Sequence, residues 1–329
     1  MDDVSRQPLV TQRLTAKLSD GAEISMRRWG PERDRRIVLS HGNGLAADAF
    51  WAFGRELLDE FEVVAFDLRN HGESARVAQE DMPWPRYIAD IPEIFDAILE
   101  GFGAREMHGA FHSMSSACAL VAQVLTPRPW ASLTLFEPPI AAACVPDLVD
   151  EFNVIQGGLA QRALGRRQSF DTPEDLARSF GRARSFDGIS PEAILLLAQS
   201  TLKRTGEEWE LSCPPAVEAA NFDQAGMLVQ YWNDLGCVDV PVQLILGDLA
   251  IHDMPHLARF GHLTAETFGF KVATCAGTNH FMQLQQPEFC ARQVAAFAKN
   301  SSTVPTGMTA ADANRENHHE TTRGSAIGS

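Results

Sequence analysis

The sequence has no CxxC pair and no run of 18 uninterrupted apolar residues. Its six cysteines are scattered along 329 residues, and a chain of this length buries enough apolar surface to be stable without disulfides. The lack of a long apolar run argues against a membrane-spanning helix. Residues 1–10 contain two aspartates and no apolar segment typical of a signal peptide. These features predict a cytoplasmic protein with reduced thiols and no membrane insertion.

Basic side chains are scarce relative to acidic ones. The chain has 28 Lys and Arg against 43 Asp and Glu, a formal net charge of −15 at pH 7. A molecule with this charge repels phosphate backbones on average, so we expect no nucleic-acid partner and favour a small-molecule substrate. The oligomeric state is left open by the sequence.

Two motifs that would hold a metal or a dinucleotide are incomplete. His252, His256 and His262 are spaced loosely like metal ligands, but Pro255 interrupts the helix that would align them. The Gly-Phe-Gly sequence at 101–103 precedes an apolar run instead of following one, which disfavours a dinucleotide loop. We therefore predict no metal and no cofactor.

Short apolar runs that end in turn-forming residues alternate with helical stretches along most of the chain. This pattern predicts an α/β fold with a mostly parallel, eight-stranded sheet between helices. The predicted strands are Arg13–Leu18, Glu23–Trp29, Arg36–Ser40, Glu62–Phe66, Glu106–Phe111, Ser132–Phe136, Val242–Leu246 and Lys271–Cys275.

The strand pattern stops between Pro139 and Gly236, where helix-start signals take over. Thr172-Pro173 and Ser190-Pro191 each place a hydroxyl before a proline at the first helical position. We expect a core formed by residues 1–140 and 236–300 and a helical insertion at 141–235. Residues 301–329 are rich in Ser, Thr and Asn and are predicted to be a disordered tail.

Ser113 is the candidate nucleophile. It stands in Phe111-His112-Ser113-Met114-Ser115, where an apolar strand runs directly into a helix of small residues. A serine on such a turn projects its hydroxyl above the edge of the sheet, next to the N–H groups at the start of the helix. The alternative is an ordinary helix N-cap.

Two further loops supply the groups that a nucleophilic serine needs. In His41-Gly42-Asn43-Gly44 the glycines let the backbone approach a substrate, so the N–H groups of Asn43 and Met114 are candidates for an oxyanion hole. His280, in the loop after the last strand, is the candidate general base, because imidazole titrates near neutral pH.

The order of serine, acid and histidine, with the glycine loop upstream, resembles the α/β-hydrolase superfamily. The resemblance covers roughly residues 12–299 and is carried by 41–44, 67–74, 112–114 and 277–283. It implies a hydrolase fold in which the insertion is a cap over the active site. Asp67 and Arg69 would have structural roles.

The elbow departs from the family's G-x-S-x-G pattern at two positions. Phe111 replaces the first glycine and Ser115 the second. A phenylalanine there would crowd the turn. We expect either a slightly opened turn or a side chain that uses space left by the small residues Ser115, Ser116 and Ala117.

The acid that orients the histidine is the second departure. After the strand at 242–246 the family commonly has an aspartate three residues beyond a glycine, but this chain has Ala250 there. Glu137, at the end of the preceding strand and followed by two prolines, is the first candidate, and the resemblance includes groups that take their acid from this position. Asp248, Asp253 and a site with no acid partner are the alternatives.

The sequence thus predicts a serine hydrolase that cleaves an ester of a small or medium hydrophobic substrate. Apolar residues of the cap, such as Phe180, Phe186, Trp209 and Trp232, are candidates for the pocket lining. Two alternatives stay open. One is hydrolysis of a carbon–carbon bond on the same fold, and the other is a non-catalytic protein that binds a ligand.

Overall fold

The computed structural model describes residues 7–77 and 84–302, and within them the chain forms eleven strands. The strands are β1 (Val10–Lys17), β2 (Glu23–Trp29), β3 (Arg35–Ser40), β4 (Glu62–Phe66), β5 (Glu106–His112), β6 (Ser132–Phe136), β7 (Ser169–Phe170), β8 (Leu202–Thr205), β9 (Glu208–Leu211), β10 (Val242–Gly247) and β11 (Lys271–Cys275). All eight predicted runs are strands, with small differences at their ends.

Ten α-helices accompany the strands in the described residues. They are α1 (Trp51–Arg55), α2 (Trp84–Phe102), α3 (Met114–Leu125), α4 (Pro146–Leu164), α5 (Pro173–Phe180), α6 (Pro191–Ser200), α7 (Pro215–Asp223), α8 (Pro255–Phe268), α9 (Met282–Gln285) and α10 (Pro287–Ser301). None of these helices combines the length and the apolar character that crossing a membrane requires.

One eight-stranded sheet organises the fold, in the order β1-β2-β4-β3-β5-β6-β10-β11. Only the pairs that involve β2 are antiparallel, and the other five pairs are parallel. This confirms the predicted α/β class. Because parallel strands share their carboxyl ends, the loops after β3, β5, β6, β10 and β11 meet at one edge of the sheet.

The central strands are buried on both faces, which explains their continuous apolar runs. Val38 and Val64 face one hydrophobic core with helices α2, α3 and α8, while Ile37 and Val63 face a second core with α1 and α10. Alternate residues of each strand therefore need apolar side chains for different cores.

The insertion between β6 and β10 contains more than helices. Four helices, α4 to α7, are present, and α5 and α6 start at the predicted prolines. Thr172 N–H donates to the Asp175 carboxylate at the start of α5, and Ser190 Oγ accepts from Ala193 N–H at the start of α6. Strands β7, β9 and β8 form a small antiparallel sheet that the helical prediction for 141–235 did not include.

Short, partly exposed strands explain that omission. Four of their ten residues are large and apolar, but these four do not form a continuous run, so pairing with a neighbouring strand specifies these strands. The predicted tail at 301–329 lies outside the described residues except for Ser301 and Ser302, and so do residues 1–6.

Candidate active site

Ser113 sits on a strained turn between β5 and α3. Its backbone is left-handed, with φ 52° and ψ −113°, and its N–H donates to Phe136 O at 2.8 Å. Its side chain makes no capping hydrogen bond to α3, so Ser113 does not serve as an ordinary N-cap. A strained residue of this kind is common where a side chain is aimed at a ligand.

The turn stays tight because Ser115 and Ser116 bond to its backbone. Ser115 Oγ accepts from His112 N–H at 3.1 Å, and Ser116 Oγ donates to Ser113 O at 2.6 Å. Ser113 is partly exposed, while Phe111, His112 and Met114 on either side are buried. The serine hydroxyl is thus the accessible group of the elbow.

Phe111 is accommodated by a glycine that the sequence analysis did not consider. Phe111 is fully buried and makes edge contacts with Phe66 and Trp130, at centroid distances of 6.1 and 5.5 Å. A Cβ at Gly109 would lie 2.4 Å from Phe111 Cε2. Gly109 precedes Phe111 by two residues on the same face of β5, so the missing side chain there leaves space for the ring.

The glycine loop after β3 comes close to the nucleophile. A Cβ at Gly42 would lie 2.9 Å from Ser113 Cβ and 3.0 Å from His112 Nδ1, so only glycine permits this approach. Met114 is the first residue of α3, and its N–H has no partner within the helix. The structure therefore brings Gly42, Asn43 and the start of α3 to the same place, as the oxyanion-hole hypothesis requires.

The loop after β4 and helix α7 fix the loop that carries Asn43. Gly44 N–H donates to His71 Nε2 at 3.0 Å, which ties the loop after β3 to the loop after β4. The Asn43 side chain donates to Glu218 O at 2.9 Å and accepts from Asn221 Nδ2 at 3.0 Å. Both partners belong to α7, so the insertion holds the candidate oxyanion loop.

Asp67 and Arg69 have the structural roles that the resemblance implies. Asp67 is fully buried and accepts hydrogen bonds from the Arg27 guanidinium at 2.8 Å and from Ala47 N–H at 2.8 Å. Arg69 pairs with the buried Asp90 carboxylate at 2.6 Å. These pairs hold the backbone below the site, and the guanidinium beside Asp67 outweighs the effect of burial and lowers the pKa of its carboxyl to about 2.

His280 contacts Glu137 directly. His280 Nδ1 donates to Glu137 Oε2 at 2.7 Å, and the His280 ring packs on His112 with 4.6 Å between centroids. His112 Nε2 donates to His280 O at 2.9 Å, and burial together with the nearby His280 lowers the pKa of His112 to about 3. His112 is thus a neutral support for the His280 backbone.

Glu137 is a fully buried carboxylate on a left-handed backbone, with φ 45°. Its Oε1 accepts from Gly247 N–H at 2.7 Å, and His252 Nε2 lies 2.8 Å from Oε1 and 2.9 Å from Oε2. Burial alone would raise the pKa of Glu137, but hydrogen bonds from His252 and His280 outweigh burial and hold this pKa well below its usual range. The carboxylate is charged and has donors on both oxygens.

The two alternative acids have other partners. Asp248 Oδ2 accepts from Gly277 N–H at 2.9 Å and Oδ1 from Ala250 N–H at 3.0 Å, so it joins two loops. These backbone hydrogen bonds lower the pKa of Asp248. Asp253 accepts from Ser185 Oγ. Of the three candidates, Glu137 is the one whose carboxylate the structure places on His280.

His252 is the site residue that sequence reasoning missed. The sequence analysis considered it only as part of an incomplete metal-ligand set, yet its fully buried side chain binds Glu137. Its position in the loop after β10, where the family's usual acid is absent, was the available signal.

A cavity of about 410 Å³ opens above these residues. Ser113, Met114, His280 and Asn43 line it together, at the meeting point of the strand ends and the insertion. The apolar part of the lining includes Leu45, Trp84, Leu159, Phe180, Phe186, Phe222 and Phe281. Near Gly44 the lining is charged, because Arg166 pairs with Glu218 there.

Of the cap residues named as examples of the pocket lining, two are elsewhere. Phe180 and Phe186 line the cavity, but Trp209 packs against the small sheet of the insertion and Trp232 against Phe268. Trp209 thus stabilises the insertion's own packing, whereas Trp232 packs the insertion against α8 of the core.

Solved structures of similar shape share this fold. E-2-(acetamidomethylene)succinate hydrolase aligns with a TM-score of 0.68 at 17% identity, covering 88% of this chain and 100% of that one. The thioesterase domain from the curacin biosynthetic pathway aligns with a TM-score of 0.67 at 19% identity, covering 86% and 99%. A thermophilic esterase from Thermogutta terrifontis, solved with malate bound, gives 0.64 at 19% identity over 89% and 100%.

Sequence comparison finds a partial relative and a family. The chain is 35% identical over 120 residues to the dihydrolipoyllysine-residue acetyltransferase component of the acetoin cleaving system of Pseudomonas putida, a match that spans 35% of this chain and 31% of that protein. The model of the alpha/beta hydrolase family matches residues 37–293, more than half of the chain, and the protein therefore belongs to the α/β-hydrolase family.

Proposed function

We propose that this α/β hydrolase is a serine hydrolase that cleaves an ester of a small or medium hydrophobic acyl substrate. The observation that carries the proposal is the arrangement at one edge of the sheet. A strained, partly exposed serine at 113 and a histidine at 280 line one cavity, and a buried carboxylate at 137 binds that histidine.

In the proposed mechanism, His280 takes the proton of Ser113 while Oγ attacks the acyl carbonyl. Glu137 accepts from Nδ1, so it holds the ring in the tautomer whose Nε2 is free to accept and stabilises the imidazolium that forms. The N–H groups of Asn43 and Met114 bind the oxyanion. His280 then protonates the leaving group, and water, activated by the same imidazole, releases the acid from Ser113.

The cavity supports the proposed substrate size. A volume of about 410 Å³ lies in the range of small-ligand sites, and an apolar lining with a few polar groups is typical of them. Phe180 and Phe186 from the insertion face the loop that carries His280, with Phe186 stacked on Phe281 at 4.7 Å. We infer that the insertion acts as a cap that selects the acyl chain.

The test is labelling and turnover with matched variants. A fluorophosphonate probe should modify the wild-type protein at residue 113, found by peptide mass spectrometry, and should not modify Ser113→Ala. With p-nitrophenyl esters of graded chain length, Ser113→Ala should lower kcat by about 10⁶-fold, the loss that follows removal of the serine from a subtilisin-type triad. Ser179→Ala, an exposed serine on α5, is the control and should keep full activity.

The outcomes separate the proposal from its alternatives. Labelling at residue 113 without turnover of any ester favours a carbon–carbon bond substrate for the same nucleophile. A wild-type protein that neither reacts with the probe nor turns over an ester contradicts the enzymatic function and favours a ligand-binding protein.

A further inference from the structure

The loop after β10 places a histidine, and not a carboxylate, beside the candidate triad. Resting on the proposed function, we propose that His252 is a positioning residue that orients the Glu137 carboxylate toward His280 and shares its negative charge. The two histidines thus bind one acid from different loops, His252 from the loop after β10 and His280 from the loop after β11.

The contacts around Glu137 fix its carboxylate group. Gly247 N–H and His252 Nε2 lie 2.7 and 2.8 Å from Oε1, while His280 Nδ1 lies 2.7 Å from Oε2. Without the donor at 252, Oε1 would keep only the backbone N–H. A buried carboxylate that loses a donor is less well solvated by the protein and less restricted in rotation.

The hydrogen bonds of His252 also define its tautomer. Met254 N–H donates to His252 Nδ1 at 2.9 Å, so the proton of the neutral ring is on Nε2, where it faces Glu137. His252 N–H donates to Asp248 O at 3.0 Å and fixes the loop itself. In either protonation state His252 therefore donates from Nε2 to Glu137, and the same carboxylate can stabilise the imidazolium of His280.

The backbone leaves room for the His252 ring. A Cβ at Gly247 would lie 2.7 Å from His252 Cδ2, 2.9 Å from Nε2 and 3.0 Å from Asn279 O. Gly247 thus has two functions, since its N–H binds Glu137 and its lack of a side chain admits His252. The space left by Gly247 is an observation separate from the hydrogen bonds, and it supports the same positioning role for His252.

Other titratable groups surround the three residues and act on them electrostatically. Burial and the Glu137 hydrogen bond act in opposite directions on His252, and its pKa is raised. Burial, together with the neighbouring histidines, lowers the pKa of His256 to about 4, and its ring has no hydrogen-bond partner among the described residues. The groups that face this cluster are His112 from β5, His256 from α8, and Asp248 and Asp253 from the loop after β10.

This arrangement predicts a pH effect of known sign. As a neutral donor or as an imidazolium, His252 stabilises the negative charge of Glu137. Without His252, the negative charge of Glu137 acts on His280 alone and stabilises the protonated form of this base more strongly. The acid limb of the kcat/KM profile reports the protonation of the general base in the free enzyme, so this limb should move to higher pH.

The experiment compares two substitutions with a matched control on the full chain. His252→Phe keeps a ring but removes both nitrogens, and should lower kcat/KM by about tenfold or more, the size of one hydrogen bond to a charged group. It should also move the acid limb to higher pH. His252→Gln, whose amide nitrogen can replace Nε2, should restore much of both. His262→Gln, a partly exposed histidine on α8, should match wild type.

A low-field proton NMR spectrum tests the same contact without substrate. The Nδ1 proton of His280, hydrogen-bonded to Glu137, should change its chemical shift in His252→Phe and not in His262→Gln. Unchanged spectra, together with an acid limb that stays in place or moves down, would overturn the role of His252. If the wild type hydrolyses no ester but the resonance shifts as expected, the proposed function fails while the positioning role stands.

Discussion

Two carboxylates each follow directly after a parallel strand of the sheet and have different surroundings. Glu137 is the first residue after β6 and Asp248 the first after β10, and these strands are parallel neighbours with Phe136 paired to Ile245. Glu137 is fully buried and binds two histidines, whereas Asp248 is partly exposed and accepts two backbone N–H groups. A place at a strand end therefore does not decide whether an acid reaches the base.

The backbone direction accounts for the difference. Glu137 has a left-handed φ of 45°, and its side chain reaches the end of β10, where Gly247 N–H donates to Oε1. Asp248 instead begins a turn, with its own N–H donating to Thr278 O at 2.8 Å and its O accepting from His252 N–H. The Glu137 carboxylate therefore points into the site, whereas Asp248 joins the loops after β10 and β11.

Among the substitutions that test this comparison, the largest effect should come from Glu137→Gln. The amide cannot hold His280 as a carboxylate does or stabilise its imidazolium, so kcat should fall by about 10⁴-fold, as for other triads that lose the charge of their acid. Ester hydrolysis by the purified variant measures this, with circular dichroism as the check on folding. Full activity in Glu137→Gln together with loss of activity in Asp248→Asn would reverse the assignment of the acid.

An intermediate effect is expected from Gly247→Ala. The new Cβ would press on the His252 ring and on Asn279 O, at 2.7 and 3.0 Å, and we expect a loss of about 1–3 kcal/mol in unfolding free energy. Activity should fall about tenfold as His252 moves away from Glu137. Urea denaturation and ester turnover measure the two losses.

Gly158→Ala is the matched control for that substitution. Gly158 lies within α4, and a Cβ there would meet nothing within 4 Å. It should leave activity unchanged and raise stability by about 0.5–1 kcal/mol, because alanine favours a helix more than glycine does. Equal behaviour of the two variants would show that the clearance at Gly247 has no role.

The smallest effect should come from Asp248→Asn, on stability and not on turnover. Backbone N–H groups lower the pKa of Asp248, so its charged form adds stability above the ordinary aspartate pKa, and this contribution is lost as pH falls through the lowered value. Wild type should exceed the variant in unfolding free energy at pH 7, and the difference should be smaller at an acidic pH below the ordinary aspartate pKa. Urea titrations at both pH values, with kcat within about threefold of wild type, would support this role.

The sequence predicted the elements that local physics specifies. Continuous apolar runs marked the strands because both faces of the central sheet are buried, and prolines after Thr172 and Ser190 marked two helix starts. The small sheet of the insertion escaped prediction, since its strands are short and depend on their partners. The choice among Glu137, Asp248 and Asp253 also stayed open, because side-chain direction depends on backbone torsions and on neighbours distant in sequence.

Phe111 is a single residue whose surroundings could not be predicted from the sequence. The size of Phe111 predicts that it crowds the elbow. How the fold accommodates the ring depends on Gly109, which lies on the same strand face, and on Phe66 and Trp130, which pack around the ring. The second of these conditions comes from strands and loops far apart along the chain. The sequence therefore predicts that Phe111 crowds the elbow, but it does not predict how the fold makes space for the ring.

By itself, the sequence determined the α/β class, the order of the strands along the chain and the residue types available for chemistry, because periodicity and turn residues act over a few positions. Only the tertiary structure decided that His252 and His280, in separate loops, bind the same carboxylate. That contact requires the ends of β6, β10 and β11 to lie side by side, and parallel pairing over more than a hundred residues sets this arrangement.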